Sequence, residues 1–290
     1  MNIIETLING LSAGGTYAMI ALGYTMVYGI AKMLNFAHGD VIMVGGYTLF
    51  VVMSSLGNPI LGLVAAVIFC MLLGVTIEKV AYKPLRGASP LAVLITAIGV
   101  SYLLQSSAQM IFGSAPRMVI VGDLGSVVIG ELKIPVYILI TLVASFAIMI
   151  VLNLFVKYTK TGRAMIAVSE DKGAAQLMGI NVNKIIMITF AIGSALAACA
   201  GFFMLMKSPS LSNTLGAMPG IKAFTAAVIG GIGSIPGAML GGILMGVIEA
   251  VSFQIPAVAP YTDAIEFLIL IIILLVRPTG ILGKKRREKV

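Results

Sequence analysis

The sequence predicts an all-α polytopic membrane protein with about eight to nine transmembrane helices, some of them short or broken, and one helix outside the bilayer. Of its 290 residues, 59% are hydrophobic and 10% are charged, which is more apolar surface than the core of a soluble domain needs. The basic residues lie between the apolar segments rather than in one patch. The net charge of +8 therefore indicates orientation in a membrane and not a nucleic-acid partner.

Nine apolar segments are close to the roughly 17 to 25 residues that a helix needs to cross a bilayer. In chain order they are Leu7 to Ile30, Asp40 to Leu56, Ile60 to Ile77, Leu91 to Phe112, Ile134 to Val156, Ile185 to Met206, Ala223 to Ile235, Gly237 to Phe253 and Tyr261 to Val276. The seventh is short. Because no Lys or Arg precedes the first apolar stretch, we expect a permanent span there and not a cleaved signal peptide. We expect residues 1–290 to form a single transmembrane domain.

The distribution of Lys and Arg assigns the two sides. Most of these residues fall on one side, which contains Lys32, Lys79, Lys83, Arg86, the basic residues of the segment 157–184 and those of the tail 277–290. The exceptions are Arg117, Lys133, Lys207 and Lys222. Because Lys and Arg are enriched in cytoplasmic loops, we expect the first side, including the C-terminus, to be cytoplasmic.

The number of crossings must be even between two cytoplasmic segments. This rule predicts a fold in the segment before Phe253 but leaves the path near Lys32 open. The segment 157–184 and the tail lie on one side, so an even number of crossings separates them. Ala223 to Phe253 must then fold in two, and the predicted turn runs from Gly233 to Gly237, where Pro236 removes a backbone donor. If Lys32 to Asp40 is a cytoplasmic loop, the chain has nine crossings and an outer N-terminus; if it is a break inside the membrane, there are about eight and the N-terminus is inside.

The segment from Lys157 to Lys184 is the longest polar stretch in the interior of the sequence. Ser169 followed by Glu170 and Asp171 is typical of a helix N-cap with acidic residues in the first turn. Gly179 stands where a left-handed C-terminal cap is expected. These signals predict a short cytoplasmic helix, Glu170 to Met178, that contacts a soluble partner.

The motif Asn35-Phe36-Ala37-His38-Gly39-Asp40 contains the only histidine of the chain. One hypothesis is structural, with Asn35 and Asp40 capping helix ends and Gly39 permitting a sharp bend. The alternatives are a proton relay and a direct place in a translocation path, because polar groups at membrane depth are usually functional. A metal site is not expected, since one His and one Asp supply too few ligands.

Glycine and carboxylate residues predict how the helices pack and where the charged side chains lie. The glycines Gly233, Gly237, Gly241, Gly242 and Gly246 repeat at intervals that align them on helix faces, which predicts close helix packing or a subunit interface. The carboxylates Glu5, Glu249, Asp263 and Glu266 fall towards the outer ends of their spans and are expected at the membrane interface. The chain has no P-loop, so any ATP used in its function must be bound by another chain.

The Asn35 to Asp40 motif, the sequence from Glu170 to Ile180 and the ending Arg277-Pro278-Thr279-Gly280-Ile281-Leu282-Gly283 resemble those of the LivH-type permease subunits of bacterial branched-chain amino-acid ABC importers. The resemblance covers essentially the whole chain, including Gly29 to Gly46. It implies an inner-membrane subunit with four kinds of partner: a second, related permease, two cytoplasmic ATPases that hold ATP and Mg, a periplasmic binding protein, and the lipid bilayer.

The resemblance also makes the segment 157–184 the part that docks into the ATPase. The importer pattern Glu-Ala-Ala-x-x-x-Gly is matched by Ala174, Ala175 and Gly179, whereas Gly173 stands in the Glu position. The candidate coupling residues are therefore Arg163, Ser169, Glu170, Asp171, Ala174, Ala175 and Gly179.

We predict a permease subunit without enzymatic chemistry or a cofactor of its own, which moves hydrophobic amino acids by alternating access. The substrate path should be mostly apolar, and helix ends could meet the ammonium and carboxylate groups. Three alternatives stay open: an ABC permease for another small solute such as urea, an amide or a sugar, an ion-coupled secondary transporter, and a membrane scaffold that transports nothing.

Overall fold

The computed structural model describes residues 3–122, 124–129 and 132–283. Within these residues the chain forms a bundle of α-helices. They are α1 (Ile3–Ala31), α2 (His38–Leu56), α3 (Pro59–Ile77), α4 (Pro90–Phe112), α5 (Val136–Tyr158), α6 (Lys160–Glu170), α7 (Lys172–Leu177), α8 (Val182–Lys207), α9 (Ala217–Gly230), α10 (Ile235–Gln254) and α11 (Thr262–Val276). A π-helical turn, Glu78–Tyr82, and a 3-10 turn, Lys83–Leu85, extend α3.

Four short strands lie at one end of the bundle. Strand β1 (Arg117–Met118) pairs antiparallel with β4 (Ser210–Leu211), and β2 (Ser126–Ile129) pairs antiparallel with β3 (Leu132–Pro135). Strand β3 leads directly into α5, and β4 follows α8. The strands therefore lie in the loops that connect the helices at this end.

Two hydrogen bonds identify the ends of the bundle. At one end, which we call the Glu5 end, the Lys133 backbone N–H donates to the Glu5 carboxylate at 3.4 Å and so brings the start of α1 to the start of α5. At the other, the Lys172 end, the Lys172 ammonium donates to the Ala31 carbonyl at 2.8 Å and ties α7 to the last residue of α1. Helix α1 therefore runs the whole length of the bundle.

Seven helical segments among the described residues are long and apolar enough to cross a membrane. They correspond to α2, α3 with its extension, α4, α5, α8, α10 and α11 with the turn before it. Helix α9 is shorter, as the sequence predicts. Helix α1 is rich in Gly, Ser and Thr, and it tolerates them because α5, α8, α9 and α10 surround it and shield it from lipid.

A turn is present, but it lies earlier than the predicted Gly233 to Gly237. It runs from Gly231 to Ser234, and Pro236 and Gly237 already lie in the first turn of α10. Helix α9 ends at Gly230, and α10 begins at Ile235 and runs back antiparallel to it. Ser234 is the N-cap of α10, and its hydroxyl accepts a hydrogen bond from the Gly237 N–H at 3.2 Å. The basic tail beyond residue 283 lies outside the described residues, and its cytoplasmic position stays a prediction.

The segment from Lys32 to Asp40 combines features of both alternatives. Helix α1 first reaches the Lys172 end, where Lys32 adopts a left-handed backbone conformation with φ of 61°. The chain then turns back into the bundle, and α2 begins at His38, whose ring lies against Gly23. Gly23 is eight residues before the end of α1, so α2 starts about 12 Å inside the Lys172 end. The chain thus turns at the Lys172 end, as the loop alternative expects, and α2 begins inside the bundle, as the break alternative expects; the number of crossings stays a prediction.

Candidate functional site

A cavity of about 600 Å³ lies at the Glu5 end between α1, α5, α8 and α10. Its volume is in the range of about 300–1,000 Å³ that is usual for small-molecule sites. The walls are mostly apolar and come from Ile8, Ala13, Ile138, Phe203, Met204, Ala250 and Phe253. The cavity follows α1 from Glu5 to Tyr17, which at 1.5 Å per residue is about 18 Å of helix.

Charged side chains mark the mouth of this cavity. Glu5 comes from the first turn of α1, Lys133 from β3 and Lys207 from the last turn of α8. These positions follow from the sequence, because each residue stands where an apolar segment meets a polar loop. The mouth therefore carries charges of both signs beside an apolar interior.

Polar groups also occur at the inner end of the cavity. Thr16 and Tyr17 line it from α1, Thr141 lines it from α5 and Glu249 lines it from α10. The Tyr17 hydroxyl lies close to the Glu249 carboxylate. An anion thus lies deep in the cavity, about one and a half turns before the end of α10.

Glu249 belongs to a cluster of four charged side chains behind the cavity wall. The Lys222 Nζ atom of α9 lies 2.7 Å from Asp263 Oδ1, 3.2 Å from Glu266 Oε2 and 3.9 Å from Glu249 Oε2. Glu266 is fully buried, and its Oε1 atom has no hydrogen-bond partner among the described residues. One lysine thus faces three carboxylates in a largely buried cluster, which is costly unless another positive group or a proton balances it.

The sequence did not predict this convergence. Glu5, Glu249, Asp263 and Glu266 were expected singly at the membrane interface, and Lys222 was expected on the outer side. The structure instead buries Lys222 and Glu266 inside the bundle. The sequence did contain a signal for this cluster. Charged residues within or beside apolar segments usually pair with one another, and all four residues are of this kind.

The Asn35 to Asp40 motif lies near the opposite end of α1, where the described residues leave only a small pocket beside Asn35 with no room for a water molecule. Asn35, His38 and Asp40 are all buried. Asn35 Oδ1 accepts a hydrogen bond from the Tyr82 hydroxyl at 2.9 Å, and Asp40 Oδ1 accepts one from the Gln105 amide at 2.8 Å. The motif therefore joins α2 to α4 and to the extension of α3.

The predicted capping roles in this motif were wrong. Ala37 is the N-cap of α2 and makes no side-chain cap, whereas Asn35 and Asp40 bond to side chains of other helices. The bend is also not at Gly39. The left-handed residue is Lys32, and Gly39 lies inside α2, where a Cβ atom would clash with the Gly216 carbonyl oxygen. Gly39 thus permits the close approach of the segment that leads into α9.

The segment 157–184 forms two helices rather than the single one predicted. Helix α6 continues through Ser169 to Glu170, and the Ser169 hydroxyl donates to the Ile166 carbonyl at 2.7 Å, so Ser169 is not an N-cap. Asp171 is the N-cap of α7, and its Oδ1 atom accepts a hydrogen bond from the Ala174 N–H at 3.0 Å. An acidic side chain can cap as well as Ser, and here Asp171 has the extended backbone that a cap requires.

The end of α7 has the left-handed glycine that the sequence predicts. Gly179 has φ of 82°, and the next N–H, that of Ile180, donates to the Ala175 carbonyl at 3.0 Å. Ala175 is buried, whereas Arg163, Glu170, Asp171 and Ala174 are exposed. Leu177 and Met178 expose 91% and 82% of their surface at the same end, so the segment presents a partly apolar surface.

Lys172 connects this surface to α1 through its bond to Ala31. Burial, and secondarily the nearby Arg86 guanidinium, lowers the pKa of the Lys172 ammonium group below its usual value. The bond joins α7 to the end of α1, whose opposite end lines the cavity.

The predicted glycine repeat divides between two helix contacts. Gly242 and Gly246 lie against the backbone of α1 at Ala18 and Gly14, and added Cβ atoms would collide with it. Gly237 and Gly241 face α9, whereas Gly233 is in the turn beside Gly29. These contacts hold α1 and α10 together next to the cavity.

Long apolar helices around a polar-ended cavity define the chain as a membrane transport protein. Residues 6–274 match the family described as the permease component of branched-chain amino acid transport systems. The chain belongs to this family.

Two similar proteins are close relatives over almost their full length. The high-affinity branched-chain amino acid transport permease BraD of Pseudomonas aeruginosa is 44% identical, over 99% of this chain and 98% of its own. The corresponding LivH protein of Escherichia coli K12 is 42% identical, over 99% and 97%. The ribose import permease RbsC of Haemophilus influenzae is more distant, at 25% identity over 84% and 76%.

Proposed function

We propose that the chain is the membrane subunit of an ATP-driven importer for branched-chain, hydrophobic amino acids. The observation that carries the proposal is the cavity at the Glu5 end, which combines apolar walls with charges of both signs. An amino acid with an aliphatic side chain needs the same combination. Family membership and the relatives named for branched-chain amino acid transport support this substrate class.

Alternating access would carry the substrate from the Glu5 end to the Lys172 end. The bias of basic residues places the Lys172 end and the C-terminus in the cytoplasm of a bacterium, and the Glu5 end in the periplasm. A periplasmic binding protein would deliver the amino acid to the cavity. The chain would bind no cofactor itself, because ATP and Mg belong to the partner ATPases.

The segment 157–184 would couple ATP hydrolysis to transport. Helix α7 is short, closed at both ends by Asp171 and Gly179, and exposes Leu177 and Met178. A rigid helix of this kind can pass the closure of an ATPase to α1 through Lys172. A second, related permease would complete the membrane part, in contact with two ATPases.

Purification of the tagged chain from its native membrane in mild detergent tests this assembly. We expect a second polytopic protein and P-loop ATPases to co-purify, and we expect the assembly in proteoliposomes to take up leucine when ATP and binding protein are supplied. Recovery of the chain alone, in a form that transports with an ion gradient, would instead favour an ion-coupled secondary transporter. Uptake of ribose or urea but not leucine would favour a permease for another solute.

The docking surface can be tested by Leu177→Asp. A buried aspartate without a partner costs more than an exposed one, so we expect at least about a tenfold loss of ATPase recovery, the equivalent of about 1.4 kcal/mol. Gln176→Asp is the matched control, because it adds the same charge at the neighbouring exposed position. Equal recovery with both variants would contradict docking through Leu177.

A further inference from the structure

The cluster behind the cavity has an excess of negative charge. Lys222 supplies one positive charge, whereas Glu249, Asp263 and Glu266 supply three negative charges when they are ionised. Glu266 is fully buried and its Oε1 atom lacks a hydrogen-bond partner among the described residues. Such a cluster attracts a further positive group, because uncompensated charge is costly away from water.

The geometry selects the carboxylate that a ligand can reach. Lys222 lies closest to Asp263 and Glu266, at 2.7 and 3.2 Å, whereas its distance to Glu249 is 3.9 Å. The Oε2 atom of Glu249, which is buried beside Lys222, accepts no hydrogen bond among the described residues. Of the three carboxylates, Glu249 is the one that lines the cavity.

The chemistry of the site favours an ammonium group over a metal ion. No group of three or more His, Cys, Asp or Glu side chains in residues 3–122, 124–129 and 132–283 is arranged to hold a metal. A primary ammonium group needs only a carboxylate and a few hydrogen-bond acceptors, and Glu249 and the Tyr17 hydroxyl supply them.

We propose that Glu249 and Tyr17 bind the α-ammonium group of the transported amino acid at the inner end of the cavity. This inference rests on the proposed function. The aliphatic side chain lies against the apolar walls, and the carboxylate faces the mouth, where Lys133 and Lys207 are cationic. Lys222 offsets one of the three negative charges of the cluster, and the ammonium group offsets a second.

The test places one reactive thiol in the cavity and uses the assembled transporter in right-side-out membrane vesicles. Ala13→Cys is introduced into a chain in which Cys70 and Cys199 are replaced by Ala, and leucine uptake is measured first. Two methanethiosulfonate reagents then modify this thiol, one with a cationic trimethylammonium group and one with an anionic sulfonate group. The rates of the two modifications are compared. We expect Glu249→Gln to lower the cation-to-anion rate ratio about tenfold, because one charge is removed near the thiol.

Asp263→Asn is the matched control. It removes one negative charge from the same cluster, but Asp263 does not line the cavity and its side chain is 52% exposed, so we expect the ratio to change less than about twofold because water screens the charge. Equal changes with the two variants would overturn the assignment to Glu249.

Protection by ligands tests the ammonium group with Glu249 intact. We expect leucine to slow the modification, and 4-methyl-2-oxopentanoate, which has the same side chain and carboxylate but no ammonium group, to leave it unchanged. In Glu249→Gln the protection by leucine should disappear. Equal protection by both compounds, or none by leucine, would overturn the inference. If leucine uptake is intact in that case, the proposed function stands; absence of leucine uptake in the parent chain would overturn the proposed function itself.

Discussion

Two polar regions lie along α1, and they differ in where their polar atoms find partners. Near the Lys172 end, Asn35 and Asp40 are buried and bonded to the side chains of Tyr82 and Gln105. Near the Glu5 end, polar groups line a cavity, and Glu249 and Glu266 have oxygens that accept no hydrogen bond from the part of the chain that the structure describes. In the first region the helices pack closely around the polar atoms, and among the described residues His38 Nε2 also has no hydrogen-bond partner. The second region differs because open volume lies beside its polar atoms.

A dense polar motif is not by itself a binding site. Six consecutive residues attract attention in the sequence, yet side chains of other helices satisfy two of them and enclose a third, His38, against Tyr24. The cavity is formed by residues that are weak signals one at a time. A site for a small ligand requires open volume as well as polar atoms.

The largest expected difference between the two regions is accessibility. Ala37 is fully buried beside the closed motif, and Ala13 lines the cavity. We expect a small water-soluble thiol reagent to modify Ala13→Cys on the order of a hundredfold faster than Ala37→Cys, which reacts only after local opening. Similar rates at the two positions, measured by mass spectrometry of this chain, would show that the Asn35 to Asp40 region is open too.

The charge cluster should be the most sensitive part of the cavity region. Lys222→Met leaves three carboxylates without their cation, and we expect a loss of roughly 3–5 kcal/mol of stability. The double variant Lys222→Met with Glu266→Gln should recover part of it. The measurement is the midpoint of thermal unfolding in detergent, and a double variant no more stable than Lys222→Met would contradict the ion-pair account.

The closed motif should respond to loss of a hydrogen bond by a smaller amount. Gln105→Leu removes the donor to Asp40, and we expect about 1–3 kcal/mol of destabilisation because the buried carboxylate loses a partner. Gln109→Leu, one turn further along α4 at an exposed position, is the control and should be almost neutral. Because Asp40 is remote from the cavity, the KM for uptake should stay unchanged in Gln105→Leu; a raised KM would assign the motif to the substrate path.

The smallest effect is expected at α7, which is outside both polar regions. Gly179→Ala should destabilise α7 by about 1–2 kcal/mol, since φ is 82° there and a side chain disfavours this conformation. Gly173→Ala should stabilise the helix by roughly 0.5–1 kcal/mol, because Gly173 has ordinary helical geometry. Hydrogen exchange of the amides in α7 measures both. Faster exchange in Gly173→Ala, or no change in Gly179→Ala, would contradict the left-handed cap.

The Asp171 cap shows why the helix of segment 157–184 was predicted with the wrong start. Ser, Glu and Asp follow one another at 169–171, and each of Ser169 and Asp171 is a good N-cap. Local propensity alone does not decide which of the two residues is the N-cap. The packing of α6 against the bundle through Met165 and Val168 decides it, because this packing continues α6 through Ser169.

Local sequence signals were enough to predict the all-α membrane class, the alternation of apolar segments with basic connections, a turn before α10 and the left-handed Gly179. Each is a local property, set by hydrophobicity, charge or the conformational freedom of glycine. The packing of the helices was needed to show which polar region is open and that Lys222 meets Glu249 and Glu266. Residues from α1, α5, α8 and α10 must converge to form the cavity, and no sequence period specifies how helices so distant in the chain pack together.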